Sequence, residues 1–185
     1  MKRDPIWRET LLQGHWFKQL PLSLQDSLLD VARLRELAPG QYLFQRGDAP
    51  CGLYAVVSGA MRVGAVSRDG KEALLTLVQA PQWFGEISLF DGQPRTHDAQ
   101  AEGSVSLIWV PQAALLALLR QHPEHWRDFA LLMSQKLRWV FIELEQQSLL
   151  AAARGSPTGC CRSPPATAKW TAAGGCCSCR RSNWR

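Results

Sequence analysis

Long apolar runs are missing from this 185-residue chain. None approaches the roughly 18–20 residues that cross a bilayer, and the start, residues 1–14, is polar and mixed rather than basic and then apolar. A membrane-spanning or exported protein is therefore not expected, and the location expected is cytoplasmic. Cysteine is nearly absent before residue 160. Cys51 stands alone there, and Cys160, Cys161, Cys176, Cys177 and Cys179 all follow. That excludes a disulfide-stapled body, and Cys51 reads as a small buried or half-buried apolar residue. Histidine is scarce too: His15, His97, His122 and His125 form no metal motif. His122 and His125, three apart at a helix start, have workable ligand spacing but are read as surface histidines. No nucleophile stands with a base, so an enzyme is not expected.

The formal charge of +5 suggests a nucleic-acid partner until its distribution is examined. Arg154, Arg162, Lys169, Arg180, Arg181 and Arg185 lie in a C-terminal stretch without a single acid. The other 15 basic residues face 16 acids. The body is near neutral, and the basic character belongs to the tail.

Residues 20–32 place Leu24, Leu28, Leu29 and Val31 at helical spacing, with Ser23 as N-cap. Pro39-Gly40 is a turn pair. Short apolar runs separated by turn signals come next: 41–44, 53–57, 60–65, 73–78, Trp83-Phe84, 87–90, 99–101 and 105–110. Arg46-Gly47-Asp48, Ser58-Gly59, Asp69-Gly70 and Asp91-Gly92 are among the separators. Many short strands at this spacing predict a jelly roll or barrel rather than a parallel sheet. Pro111 opens a second helix over 112–120 as its first residue, and Pro123 opens a longer third. In that helix Met133, Leu137, Val140 and Leu144 step by four, three and four. This heptad-like stripe predicts homodimerisation, the alternative being that it packs on its own barrel.

The run Phe84-Gly85-Glu86-Ile87-Ser88-Leu89-Phe90-Asp91-Gly92-Gln93-Pro94-Arg95-Thr96 resembles the phosphate-binding cassette of cyclic-nucleotide-binding domains. The order around it matches as well: helix, Pro-Gly turn, Gly-Asp, Val-Ser-Gly, Asp-Gly, cassette, short helix, long helix. The chain thus resembles the Crp/Fnr, or catabolite activator protein, family of transcription regulators over about three quarters of its length. The resemblance implies an α+β fold: a cyclic-nucleotide-binding β-roll (a double-stranded β-helix or jelly roll) with flanking helices and a long C-terminal dimerisation helix. Residues 1–19 are then an N-terminal extension, 20–122 the roll with its helices, 123–153 the dimerisation helix and 154–185 a tail.

The ligand implied is cyclic AMP or another cyclic nucleotide. Gly85 would let the backbone approach it closely. Amides in the short Glu86–Leu89 turn, with Ile87 and Ser88 within it, would cradle phosphate oxygens, Arg95 would pair with the phosphate through its planar fork, and Thr96 would donate a hydroxyl. Glu86 would accept from the ribose 2′-hydroxyl. Two positions depart from the cyclic-AMP binders. His97-Asp98 follow Arg95-Thr96 where a small apolar residue is usual. Val140-Phe141 stand where a Thr-Ser pair contacts the adenine; Phe141 can stack on a base but not hydrogen-bond to it. The iron–sulfur sensors of the family carry an N-terminal cysteine cluster, which this chain lacks.

In this family the long helix leads into a winged helix-turn-helix that reads the major groove. Residues 155–185 contain no Leu, Ile, Val, Met or Phe, too little to build such a core. A zinc site from the tail cysteines fits poorly, because adjacent cysteines do not readily share one tetrahedral ion. Codon structure offers another account. Cys and Trp codons begin with TG, so moving the frame back to the preceding wobble base turns every tail Cys and Trp into Leu, Val or Met. The tail is therefore read as an out-of-frame replacement of the DNA-binding domain, as against a natural disordered basic tail. The function expected is the sensor and dimerisation part of a regulator without specific DNA binding, or a stand-alone module that forms heterodimers with intact regulators.

Overall fold

The computed structural model describes residues 5–66 and 71–154. The tail from residue 155, and with it the out-of-frame reading, lies outside the described residues. The chain divides into two compact units between Glu143 and Leu144. The first holds three N-terminal helices, α1 (Pro5–Leu12), α2 (His15–Gln19) and α3 (Leu22–Val31). Six strands follow: β1 (Arg33–Leu37), β2 (Tyr42–Phe44), β3 (Gly52–Val66), β4 (Glu72–Gln79), β5 (Trp83–Phe84) and, beyond α4 (Ile87–Asp91), β6 (Asp98–Pro111). Helix α5 (Gln112–Gln121) and a 3-10 turn (Pro123–His125) lead into α6 (Trp126–Arg154), whose residues from Leu144 belong to the second unit.

All strand pairings are antiparallel, in the order β1-β6-β3-β4, with β2 also on β6 and β5 on β3. The alternation of side chains along β3 and β6 builds two cores at once. Tyr54, Val56 and Leu107 point into the roll with Phe44, Met61 and Phe84. Leu53, Ala55, Ile108 and Val110 point the other way, onto Phe17, Leu24, Leu28, Leu115, Leu119 and Phe129 of the helices. Buried on both faces, the start of β3, Gly52 to Val56, shows continuous rather than alternating burial.

The fold class expected from sequence is the one found. Several local expectations are corrected. Ser58-Gly59 is a bulge inside one long strand, because β3 keeps its pairing with β6 on both sides of it. Gly59 adopts φ +80°, and a Cβ there would meet the Ser104 carbonyl oxygen at 2.5 Å. Residues 87–90 are helix α4, not a strand. Residue 111 is the N-cap of α5 rather than its first residue, and Pro21, not Ser23, caps α3. Residues 5–19 contain α1 and α2, and Leu11, Trp16 and Phe17 are buried in the helical core. Arg8 of α1 reaches α3 through Asp26 at 2.6 Å and Gln25 at 3.3 Å.

Candidate ligand site in the roll

The cassette begins where β5 ends. Gly85 takes φ +94°, a conformation L side chains rarely adopt, and a Cβ there would lie 3.0 Å from Arg95 Nη1 and 3.1 Å from the Gly52 carbonyl oxygen. Helix α4 then makes one short turn and stops at Gly92, which is left-handed at φ 64°. The returning loop is pinned to the Arg46-Gly47-Asp48 turn by two 2.8 Å backbone bonds, Gly47 N–H to the Arg95 carbonyl and Arg95 N–H to the Asp48 carbonyl. That clamp aims the Arg95 side chain inward.

Arg95 is only 4 % exposed. Nη1 donates to the Gly85 carbonyl at 2.8 Å; Nη2 donates to the Gly52 carbonyl at 2.6 Å and to Cys51 Sγ at 3.2 Å. The guanidinium lies 4.5 Å from the Phe44 ring centroid and 5.8 Å from that of Tyr54. Nε is buried without a partner, and among the described residues no carboxylate forms an ion pair with this arginine. Cys51 Sγ also shares a 3.0 Å hydrogen bond with the Tyr54 hydroxyl. Burial, and then that bond, push the Tyr54 hydroxyl well above its ordinary value, so it stays protonated. Cys51 is thus half-buried, as expected, and adds these polar contacts to its packing against the roll's core.

Glu86 is 3 % exposed and does not meet Arg95. Its Oε2 accepts from Lys136 Nζ of α6 at 2.6 Å, a pairing the sequence reading missed because one lysine on a charged helix carries no signal of its own. Ser88 is buried, and its carbonyl accepts from Gln112 Nε2 at 3.3 Å, tying α4 to α5. Ile87 and Thr96 are exposed, and Thr96 Oγ1 bonds His97 Nδ1 at 2.9 Å. The cassette therefore brings Gly85, Glu86, Ser88 and Arg95 together. Phe141 stays apart: it is 62 % exposed and five residues beyond Lys136, so it leaves the helix in another direction. Phe44, Cys51 and Tyr54, which surround the guanidinium, were also missed; in sequence they look like ordinary strand residues.

Fold and site define a cyclic-nucleotide-binding type of sensor domain, and comparison with known proteins agrees. The cyclic nucleotide-binding domain family is matched over residues 34–122. A CRP-like cAMP-activated global transcriptional regulator of Mycobacterium tuberculosis is 31 % identical over 54 % of this chain and 44 % of its own. A cyclic AMP receptor protein of Thermus thermophilus is 34 % identical over 65 % of this chain and 56 % of its own. The crystal structure of the N-terminal domain of a Streptomyces coelicolor transcriptional regulator is 30 % identical, with TM-score 0.58, covering 74 % of this chain and 95 % of that one. The chain belongs to the Crp/Fnr family of cyclic-nucleotide-binding-domain regulators. It spans about half the length of the curated relatives it matches.

Proposed function

We propose that this chain is the sensor and dimerisation part of a Crp/Fnr-type transcription regulator and takes a cyclic nucleotide at Arg95, cyclic AMP or a close analogue. The observation that carries this reading is the buried, unmatched guanidinium. An arginine taken out of water without a counter-charge costs several kcal/mol, which neutral carbonyls offset only in part. A cyclic phosphate supplies one negative charge and acceptor oxygens matched to the fork. Gly85 leaves the space that approach needs. Lys136 holds the Glu86 carboxylate beside the cassette, where it can accept from a ribose hydroxyl.

Helix α6 supplies the dimer seam in this reading. Met133, Leu137, Val140 and Leu144 are between 37 % and 53 % exposed, whereas Phe129 and Leu132 make the contact with the body. The seam is thus left for a second copy. No helix among the described residues is long and apolar enough to cross a membrane, and a cytoplasmic, non-catalytic role fits the relatives. The composition of residues 155–185 supports a tail that does not read DNA. A second role, capture of intact regulator subunits as heterodimers, rests on that tail following an unaltered seam.

Calorimetry with cyclic AMP and cyclic GMP tests the site. The expected outcome is saturable heat with at least one of them and none for Arg95→Ala. No heat with either would leave Arg95 as a structural residue.

A further inference from the structure

We propose that His122, Glu124 and His125 form a binding site for a divalent transition metal, zinc above all, at the joint between α5 and α6. One ligand atom from each lies within 4.8 Å of those of the other two. Two imidazoles and a carboxylate are a zinc set, with the fourth position left to water; hard oxygen-seeking cations such as magnesium disfavour it.

The backbone presents these residues on a fixed turn. His122 caps α5, its N–H bonded to the Leu118 carbonyl at 2.9 Å, and its own carbonyl accepts from the His125 N–H at 3.1 Å. His122 Nδ1 already stands 3.3 Å from Glu124 Oε1, and the two histidine rings are 5.7 Å apart at 44°. His125 is not the surface residue its sequence suggests. It is buried, and its Nδ1 meets Asp128 Oδ2 at 3.0 Å. Asp128 is itself anchored through its carbonyl, which accepts from Trp16 Nε1 at 2.7 Å. A carboxylate on one ring nitrogen fixes the ring and leaves the lone pair on the other, the form a metal takes.

Charge agrees with geometry. Glu124 and Asp128 together match a dication. Metal–nitrogen bonds of about 2.0–2.1 Å require the ligands to close up from their present spacing. His122 and Glu124 are exposed and free to swing in, while buried His125 serves as the anchor. The bound ion would pin the turn from which α6 starts.

The test uses the full chain without an affinity tag, stripped with a chelator and titrated with cobalt(II) followed by absorption and with zinc(II) followed by calorimetry. The expected result is one cobalt per chain with ligand-field bands but no thiolate charge-transfer band, since the site holds no sulfur. In the His122→Gln, Glu124→Gln double variant, whose changes lie on exposed side chains, affinity should fall at least about tenfold with the circular dichroism unchanged. Uptake showing only a thiolate band would place the metal on cysteines and overturn the proposal. So would uptake equal in wild type and double variant, or none in either.

Discussion

At the scale of single residues, Arg95 and Glu86 show how the cassette divides its charges. Each is nearly fully buried, yet they do not neutralise each other: Glu86 takes Lys136, and Arg95 is left to main-chain oxygens, a thiol and two rings. Direct pairing of the two would have closed the site. The Glu86–Lys136 bridge joins a buried carboxylate to a lysine side chain 36 % exposed, so its worth is below that of a fully buried pair. Lys136→Met should therefore destabilise the domain by about 1–3 kcal/mol, through the carboxylate it strands. Adding Glu86→Gln should recover part of that loss. A double-mutant cycle by urea denaturation checks it; strictly additive losses would show that the bridge contributes nothing.

At the scale of elements, the strands and helices were legible where their periodicity is set by local burial. Helix α3 shows Leu24 and Leu28 one turn apart, and the runs of β3, β4 and β6 are apolar enough to read as strands. Their continuity was not legible, because Gly59 and Gly103 look like turns until the partner strand bridges them. Strand β1 was missed altogether. Arg33 and Arg35 face outward over the Trp109 ring, at 5.7 and 4.4 Å, and only Leu37 is fully buried, so its strand character comes from pairing with β6. In the site, the glycine, the acid and the arginine were legible from the cassette. Lys136, Cys51, Tyr54 and Phe44 were not, since their role depends on which side chains the roll encloses. Helix α6 exposes more apolar surface than one barrel needs, Trp139 and Ile142 included. Leu137→Glu, which sets a charge in the middle of the proposed seam, should turn a dimer into a monomer in analytical ultracentrifugation without loss of helix content. A dimer that persisted would place the interface elsewhere.

At the scale of the whole molecule, the near-neutral body and the basic tail are separate in sequence and, on this account, in consequence. A basic segment without aliphatic residues gives weak phosphate contact of the kind that counterions displace. In an electrophoretic shift on promoter DNA, any retardation should vanish between about 50 and 200 mM salt. A complex that survived in a sequence-dependent way would contradict the reading of the tail. On the proposed reading, the roll is the part of the molecule where a signal enters. That role rests on Arg95, a buried cation that no carboxylate among the described residues pairs with.

The most direct measurement of that claim is the urea midpoint of the wild-type chain and of Arg95→Met, each with and without cyclic AMP or cyclic GMP. A ligand that binds only the folded state at about one hundred times its dissociation constant adds about 2.7 kcal/mol. An upward shift of that order is expected for the wild type with one of the two nucleotides and none for Arg95→Met. An unmoved wild-type midpoint with both, or an equal shift in the variant, would contradict it.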